Sequence, residues 1–519
     1  MTTPDVDLKE AAAANFKTFT SPAERSVRKT TAPAGGNATP QSVLGNEALT
    51  VGLQAYNTSA HAVKLNTTVT NLPGVQATAV IDWGDGTTSN ENALGSTTMT
   101  TRHNYEEIGA YTITVTVTES AHNTSAKNSV AFLTAGSEFT PYSPTRLLDT
   151  RDGTGGAKAK VAPHTSTRLK IAGYGTIPAG VTAVALNLTV TNTTSEGHVT
   201  AFPSGFPKPI TSNVNFVPGQ TVPNLAIVPV GEDGYVELYN GGWESIDLIA
   251  DVTGYFTTAA SSGYTPIGPI RFADTRAGLG TAKGQVAGQK SFGLQIGNSH
   301  GVPAGITAVA LNVTVTNPRD AGHLTAYPSG QQAPTASNLN FTAGQTVANS
   351  VIVPVGQDGK INIRNGAWAG TDVIVDVVGY YSQAGEGAYL PVEPERVFDT
   401  RDPEGGVFGV LPGRWYIWWD FSSKWPDDSA YVLNTTTTNT RGPGFLAVAP
   451  DPNARWMYDQ GSESAPPIPT SSTLNFTAAK TVPNLVQAST GNNGIIDFFN
   501  ESDADIDLIV DMFGYYDKN

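Results

Sequence analysis

"RLLDTRDGTGG" (146–156) returns as "RFADTRAGLGT" (271–281) and again as "RVFDTRDPEGG" (396–406), each copy 125 residues after the one before. A spacing that regular is the mark of a repeated structural unit, and one unit of that length is an ordinary domain size. Each copy is followed by an aliphatic run, "VTAVALNLTVTN" (181–192), "ITAVALNVTVTN" (306–317) or "AYVLNTTTTN" (430–439). Next come "SNVNF" (212–216), "SNLNF" (337–341) or "STLNF" (472–476), and each copy closes on "DLIADVTGYF", "DVIVDVVGYY" or "DLIVDMFGYY". Short runs rich in β-branched residues and punctuated by Gly and Pro turns read as strands. The spacing therefore predicts three β-sandwich repeats over 142–256, 264–381 and 389–516, joined by the small polar linkers "TTAASSG" (257–263) and "SQAGEG" (382–387), which read as joints between beads.

Composition agrees with an all-β chain of about three to five domains. Only 14% of the 519 residues are charged, while Gly numbers 54 and Pro 34. A net charge of −15 argues against a nucleic-acid partner, which needs a basic face. The absence of cysteine excludes disulfides, thiolate metal sites and a cysteine nucleophile. No apolar run approaches the length of a membrane span, and "MTTPDVDLKEAAAANFKTFT" is acidic where an export signal is basic. The expectation is a chain made soluble in a cytoplasm, not exported by the usual route and not inserted in a membrane.

Residues 1–45 read as an extended, partly helical arm. "DVDLKEAAAANFKTF" (5–19) spaces Leu8, Ala11, Ala12 and Phe16 as a short helix would, and "SPAERSVRKTTAPAGGNATPQ" (21–41) has almost nothing to bury. From 46 to 134 strict alternation takes over, as in "HAVKLNTTVTNL" and "AYTITVTVTES". Between these strands stand "VIDWGDGTTS" (80–89) and "HNYEEIGAYTITVTV" (103–117). Trp83, Gly84, Asp85, Gly86, Thr87, His103, Tyr105, Gly109 and Tyr111 resemble the signature of the polycystic kidney disease (PKD) type of immunoglobulin-like domain. That resemblance implies a β-sandwich with a structural or adhesive role. The three later repeats resemble modules of actinobacterial surface proteins and of the virions of phages that infect actinobacteria. The full expectation is an all-β protein of tandem β-sandwich domains, one PKD/Ig-like and three homologous repeats, behind an extended N-terminal arm.

The repeated charges invite a catalytic reading, because a carboxylate between two cations is ionised and oriented. No histidine, serine pair or second carboxylate recurs at a fixed place beside them, and a nucleophile needs a base within reach. Arg146, Asp149, Arg151, Arg271, Asp274, Arg276, Arg396, Asp399 and Arg401 are therefore expected to form a structural clamp at the start of each repeat. His198 and His323 are matched by Phe445 in the third repeat, which points to packing and not proton transfer. Asp251, Asp376 and Asp511 with Asp247, Asp372 and Asp507 carry a weaker metal reading, since two carboxylates four apart on a strand lie ~13 Å apart. Asp82 and Asp85 are better explained by an Asp-Gly turn. No catalytic residue, metal or cofactor is expected.

The third repeat departs most from the others. It holds Trp415, Trp418, Trp419, Trp425 and Trp456, and it carries an insertion containing "DPNARWMYDQGSESAPP" (451–467). Arg455, Trp456, Met457, Tyr458 and Trp425 are the residue types of interface hot spots and sugar-stacking sites, and are the expected partner or glycan contacts. Surface-type modules without an export signal fit a phage virion assembled in the host cytoplasm. The expectation is thus a non-enzymatic virion surface protein, as capsid decoration, head fibre or tail-attached adhesin. Residues 1–45 would engage capsid or tail proteins, and the β-domains would reach host cell-wall polysaccharide. The alternative is a cellular, secreted cell-wall or carbohydrate-binding protein, and the sequence leaves homo-oligomer formation open.

Overall fold

The computed structural model describes residues 13–25, 27–28, 46–403, 409–421 and 428–519. The described chain is all-β, with seven four-stranded sheets and one five-stranded sheet, paired antiparallel throughout. It divides into two compact units, essentially 14–136 and 137–518.

The first unit is a sandwich of two sheets, and its strands show why. Thr50–Asn57 buries every second residue, as does Gln76–Asp82, so each sheet has one apolar face. Val51, Leu53, Leu65, Ile81, Val115 and Val117 meet between the sheets around Trp83. Thr18–Arg25, which composition places in the arm, is an edge strand here and pairs with Thr50–Asn57. Its sequence hides this because pairing needs only backbone groups, with Phe19 adding apolar contact to the core. The expected helix over 5–19 lies largely outside the described residues; Ala13–Asn15 forms a single 3-10 turn.

Each repeat of the second unit is a two-layer sandwich with the same strand order. In the first repeat the inner sheet runs in the order Glu138–Asp149, Asp247–Thr257, Val181–Thr191, Val222–Pro229. The outer sheet runs Ser166–Lys170, Tyr235–Asn240, Gly197–Pro203, Val214–Phe216. Val181–Thr191 is buried on nearly every residue, where a sandwich strand normally alternates. Val184, Leu186, Leu188 and Val190 fill the core of their own sandwich. Ala183 and Ala185 point the other way, into a second core shared by all three repeats.

That shared core closes the three sandwiches into one body. Phe139, Tyr264 and Tyr389 open the three inner sheets, and Phe256, Tyr381 and Tyr516 close them; all six rings are buried together. Ring centroids of Phe139 and Tyr381 lie 4.3 Å apart, those of Phe256 and Tyr389 4.7 Å, and those of Tyr264 and Tyr516 4.3 Å. Tyr381 and Tyr516 share the Oε1 of Gln487, at 2.6 and 2.7 Å. The glycine of each "GY" motif makes room for this packing, since a Cβ at Gly254, Gly379 or Gly514 would overlap the ring of Phe139, Tyr264 or Tyr389.

A polar circuit runs alongside this core. Asn349 Nδ2 donates to Asn187 Oδ1 at 3.1 Å, Asn484 to Asn312 at 3.0 Å and Asn224 to Asn434 at 3.0 Å. In return, Asn187 donates to the Ser337 carbonyl at 2.6 Å, Asn312 to that of Ser472, and Asn434 to that of Ser212 at 2.7 Å. First bonds to second, second to third and third to first, a heterologous contact that closes after three steps. The linkers read as joints are drawn into the same body: Gly387 and Tyr264 exchange two backbone hydrogen bonds at 2.8 and 3.1 Å.

Candidate functional site: the clamps and the outer face of the third repeat

The opening cluster of every repeat has one geometry. Arg146 lies opposite Asp251 in strand register and grips it through Nε at 2.9 Å and Nη2 at 3.2 Å. Arg271 holds Asp376 and Arg396 holds Asp511 through Nε at 2.9 and 2.8 Å. The aspartate of the motif turns to its other arginine: Asp149 accepts from Arg151 at 2.6 and 2.8 Å, with near-identical pairs at Asp274–Arg276 and Asp399–Arg401. The intervening threonine also contributes, since Thr150, Thr275 and Thr400 donate to Asp247, Asp372 and Asp507 at 2.9, 2.8 and 3.0 Å.

Charge follows geometry. The hydrogen bonds from Arg151 and Arg276 hold the Asp149 and Asp274 carboxyls below the usual carboxylate range. At Asp399 burial opposes ionisation more strongly, yet Arg401 still carries it below that range. Asp251, Asp376 and Asp511 are each about 1% exposed, which a carboxylate tolerates only with a matched cation. Both acids of the weaker metal reading thus already have protein partners. The first unit treats its motif similarly: Asp85 binds Thr87 and sits 2.7 Å from His103, which stacks on Trp83 at 4.7 Å. Burial works against Asp85, but the Thr87 and His103 bonds outweigh it and bring its pKa down to about 2.

His198 and His323 lie flat over Gly241 and Gly366, where a Cβ would strike the imidazole. Burial lowers both pKa values, with nearby Lys208 acting in the same direction on His198 and Arg364 on His323. In the third repeat Phe445 takes the histidine position, and Glu501 replaces the glycine and binds Arg414 at 2.9 Å.

The insertion of the third repeat folds back on its own outer sheet. Arg455–Gln460 forms a short helix that ends on Gly461, whose φ of 64° is the left-handed cap that glycine adopts readily. Tyr458 stacks on Trp418 at 4.2 Å, and the Arg455 guanidinium lies 5.1 Å over the same indole. The Tyr458 hydroxyl donates to Asp451, which also accepts from the Asn453 backbone and side chain. Beneath them Asp497 is fully buried, and among the described residues no N–H, hydroxyl or cation reaches its oxygens. Burial, then the hydrogen bond and charge of Asp451, push its pKa up to about 9. Asp497 thus holds its proton far more tightly than an ordinary aspartate, with burial and the neighbouring Asp451 as the causes. Asp451 is only 2% exposed, and its bonds to Asn453 and Tyr458 seat the loop.

The predicted contact residues thus divide. Arg455 and Tyr458 are spent on Trp418, Met457 is half-buried, and Trp456 faces solvent at 56% exposure. Trp425 lies outside the described residues, as does most of the arm. Trp419 is core and Trp415 is 62% exposed. Two further exposed indoles, Trp243 and Trp368, escape a reading focused on the third repeat; their signal is the same 125-residue spacing as the clamps. The asparagine circuit is also missed, although an Asn inside each aliphatic run marks it. No protein-family model matches this chain, and no curated relative matches it.

Proposed function

We propose that this chain is a non-enzymatic surface protein of a phage virion, a capsid decoration, head fibre or tail-attached adhesin. Residues 1–45 attach it to capsid or tail protein, and the β-domains project and contact host cell-wall glycan. The observation that carries the reading is the contrast within the repeats. Three near-identical clamps and a shared core spend their polar groups on one another, whereas the outer face of the third repeat adds an aromatic insertion that leaves Trp456 in solvent. The resemblance of the first unit to PKD-type domains, and of the repeats to actinobacterial and phage modules, supports a surface location.

The test is localisation together with binding. Purified virions should show density for the four sandwiches, and deletion of residues 1–12, which spares the edge strand Thr18–Arg25, should abolish attachment while the domains stay folded. A chain that never accompanies particles but binds wall polysaccharide would instead be a cellular wall protein.

A further inference from the structure

We infer that the three-repeat body carries three glycan-stacking platforms, one at the same end of each outer sheet, centred on Trp243, Trp368 and Trp415. This rests on the reading of the chain as a glycan-contacting surface protein and assigns it a second, repeated contact.

Trp243 and Trp368 follow the last outer strand of repeats one and two, in the matching turns "NGGWES" and "NGAWAG", and are 73% and 82% exposed. Asn240 and Asn365 build these turns: each side chain accepts from a turn amide at 2.9 Å and donates to a carbonyl four residues on. The indole is thus presented on a rigid turn. In the third repeat the matching position is Asp503, but Trp415 stands at the facing strand start, 62% exposed and in register with Asn500. The aromatic is relocated by one strand and not lost.

Beside each indole a residue in the left-handed conformation holds a polar group: His164, Gln289 and Arg414, with φ of 54°, 59° and 59°. His164 meets Trp243 edge-on at 4.9 Å and bridges to the Tyr239 hydroxyl at 3.3 Å. Gln289 receives Arg364 at 2.6 Å, and Arg414 binds Asp503 at 3.0 Å. One open aromatic face with donors and acceptors along its rim matches a pyranose ring, which has an apolar C–H face and a hydroxyl edge. A protein partner would need a broad apolar patch, and each of these indoles stands among polar groups. The net charge of −15 disfavours anionic polymers, so the fitting ligand is a neutral polysaccharide long enough to engage several platforms. Each site is small and weak alone; three on one rigid body gain by avidity.

The full chain is titrated with a neutral galactan, a β-glucan and the disaccharide of each, followed by calorimetry. The expected result is binding of one polymer at least ~10-fold tighter per sugar site than its disaccharide. Trp243→Ala, Trp368→Ala and Trp415→Ala should each weaken it several-fold, and the triple variant by about 100-fold, at unchanged melting temperature because the side chains are exposed. No polymer binding, or a triple variant that binds as the parent does, overturns the inference. Loss of binding in Trp456→Ala with the triple variant unaffected overturns it while leaving the insertion as the glycan contact. Virion density is scored separately, so the location can stand or fall by itself.

Discussion

The first two repeats and the third share an interior and differ on one face. All three hold the same Arg-to-Asp grip within 0.1 Å, with Nε distances of 2.9, 2.9 and 2.8 Å. All three give two rings and a glycine to one core. On the outer sheet, by contrast, Glu237 and Asn362 of the first two repeats are matched by the buried acid Asp497, and the insertion covers it. Interior residues are tied to partners in other repeats and cannot change singly. The outer sheets contribute nothing to the shared core, so they are free to diverge.

The largest expected effect attacks what is shared. Gly379→Val would drive a side chain into the Tyr264 ring, and thermal unfolding should show a loss of about 3 kcal/mol or more. Gly254→Val and Gly514→Val should behave alike; a mild effect in any one would break the equivalence. Asp251→Ala and Asp511→Ala should each cost about 2 kcal/mol in denaturant titrations, because each takes the two-point carboxylate partner from a largely buried arginine and leaves it only the bond to Asp149 at 3.0 Å or Asp399 at 3.2 Å. Asn349→Ala removes bonds to Asn187, to the Asn338 carbonyl and from the Leu225 amide, and should cost about 2 kcal/mol.

The most gradual effect, about 1.4 kcal/mol per pH unit at its steepest, comes from the large upward shift of Asp497 in the third repeat, beyond the upward shifts that burial gives Asp251, Asp376 and Asp511 in all three. Asp497 has a folded pKa of about 9 against an ordinary 3.8, so its bound proton stabilises the fold. That stability is complete below about pH 4 and is lost as pH rises toward 9. Asp497→Asn should flatten this slope, read as melting temperature against pH. Asp149, Asp274 and Asp399 have the opposite sign: their stability is present above about pH 4 and fades as pH falls through their depressed values, alike in all repeats.

Strand content and the repeat pattern were legible because they depend on local periodicity. The clamp was legible as a charge cluster, but its partners Asp251, Asp376 and Asp511 lie over a hundred residues away and are set by strand register. The closed ring was not legible. Ala183 and Ala185 look like ordinary strand residues until a second sandwich lies against them, and Tyr264 sits next to a stretch whose composition reads as a joint. The insertion announced its aromatics, yet which ones face inward depends on Trp418 and Asp497 below it. Trp243 and Trp368 were hidden by abundance elsewhere, since five of the eight tryptophans are in the third repeat.

The central claim, that three repeats form one body whose outer faces diverge, is tested most directly by native-state hydrogen exchange on the full chain carrying Gly379→Val. The substitution lies in the second repeat. Amides of Leu225–Val228 in the first and Leu485–Ala488 in the third should lose protection together with those of the second, by a common free energy. Loss confined to residues 263–382, with the flanking repeats unchanged, would contradict a shared core and return the repeats to independent beads.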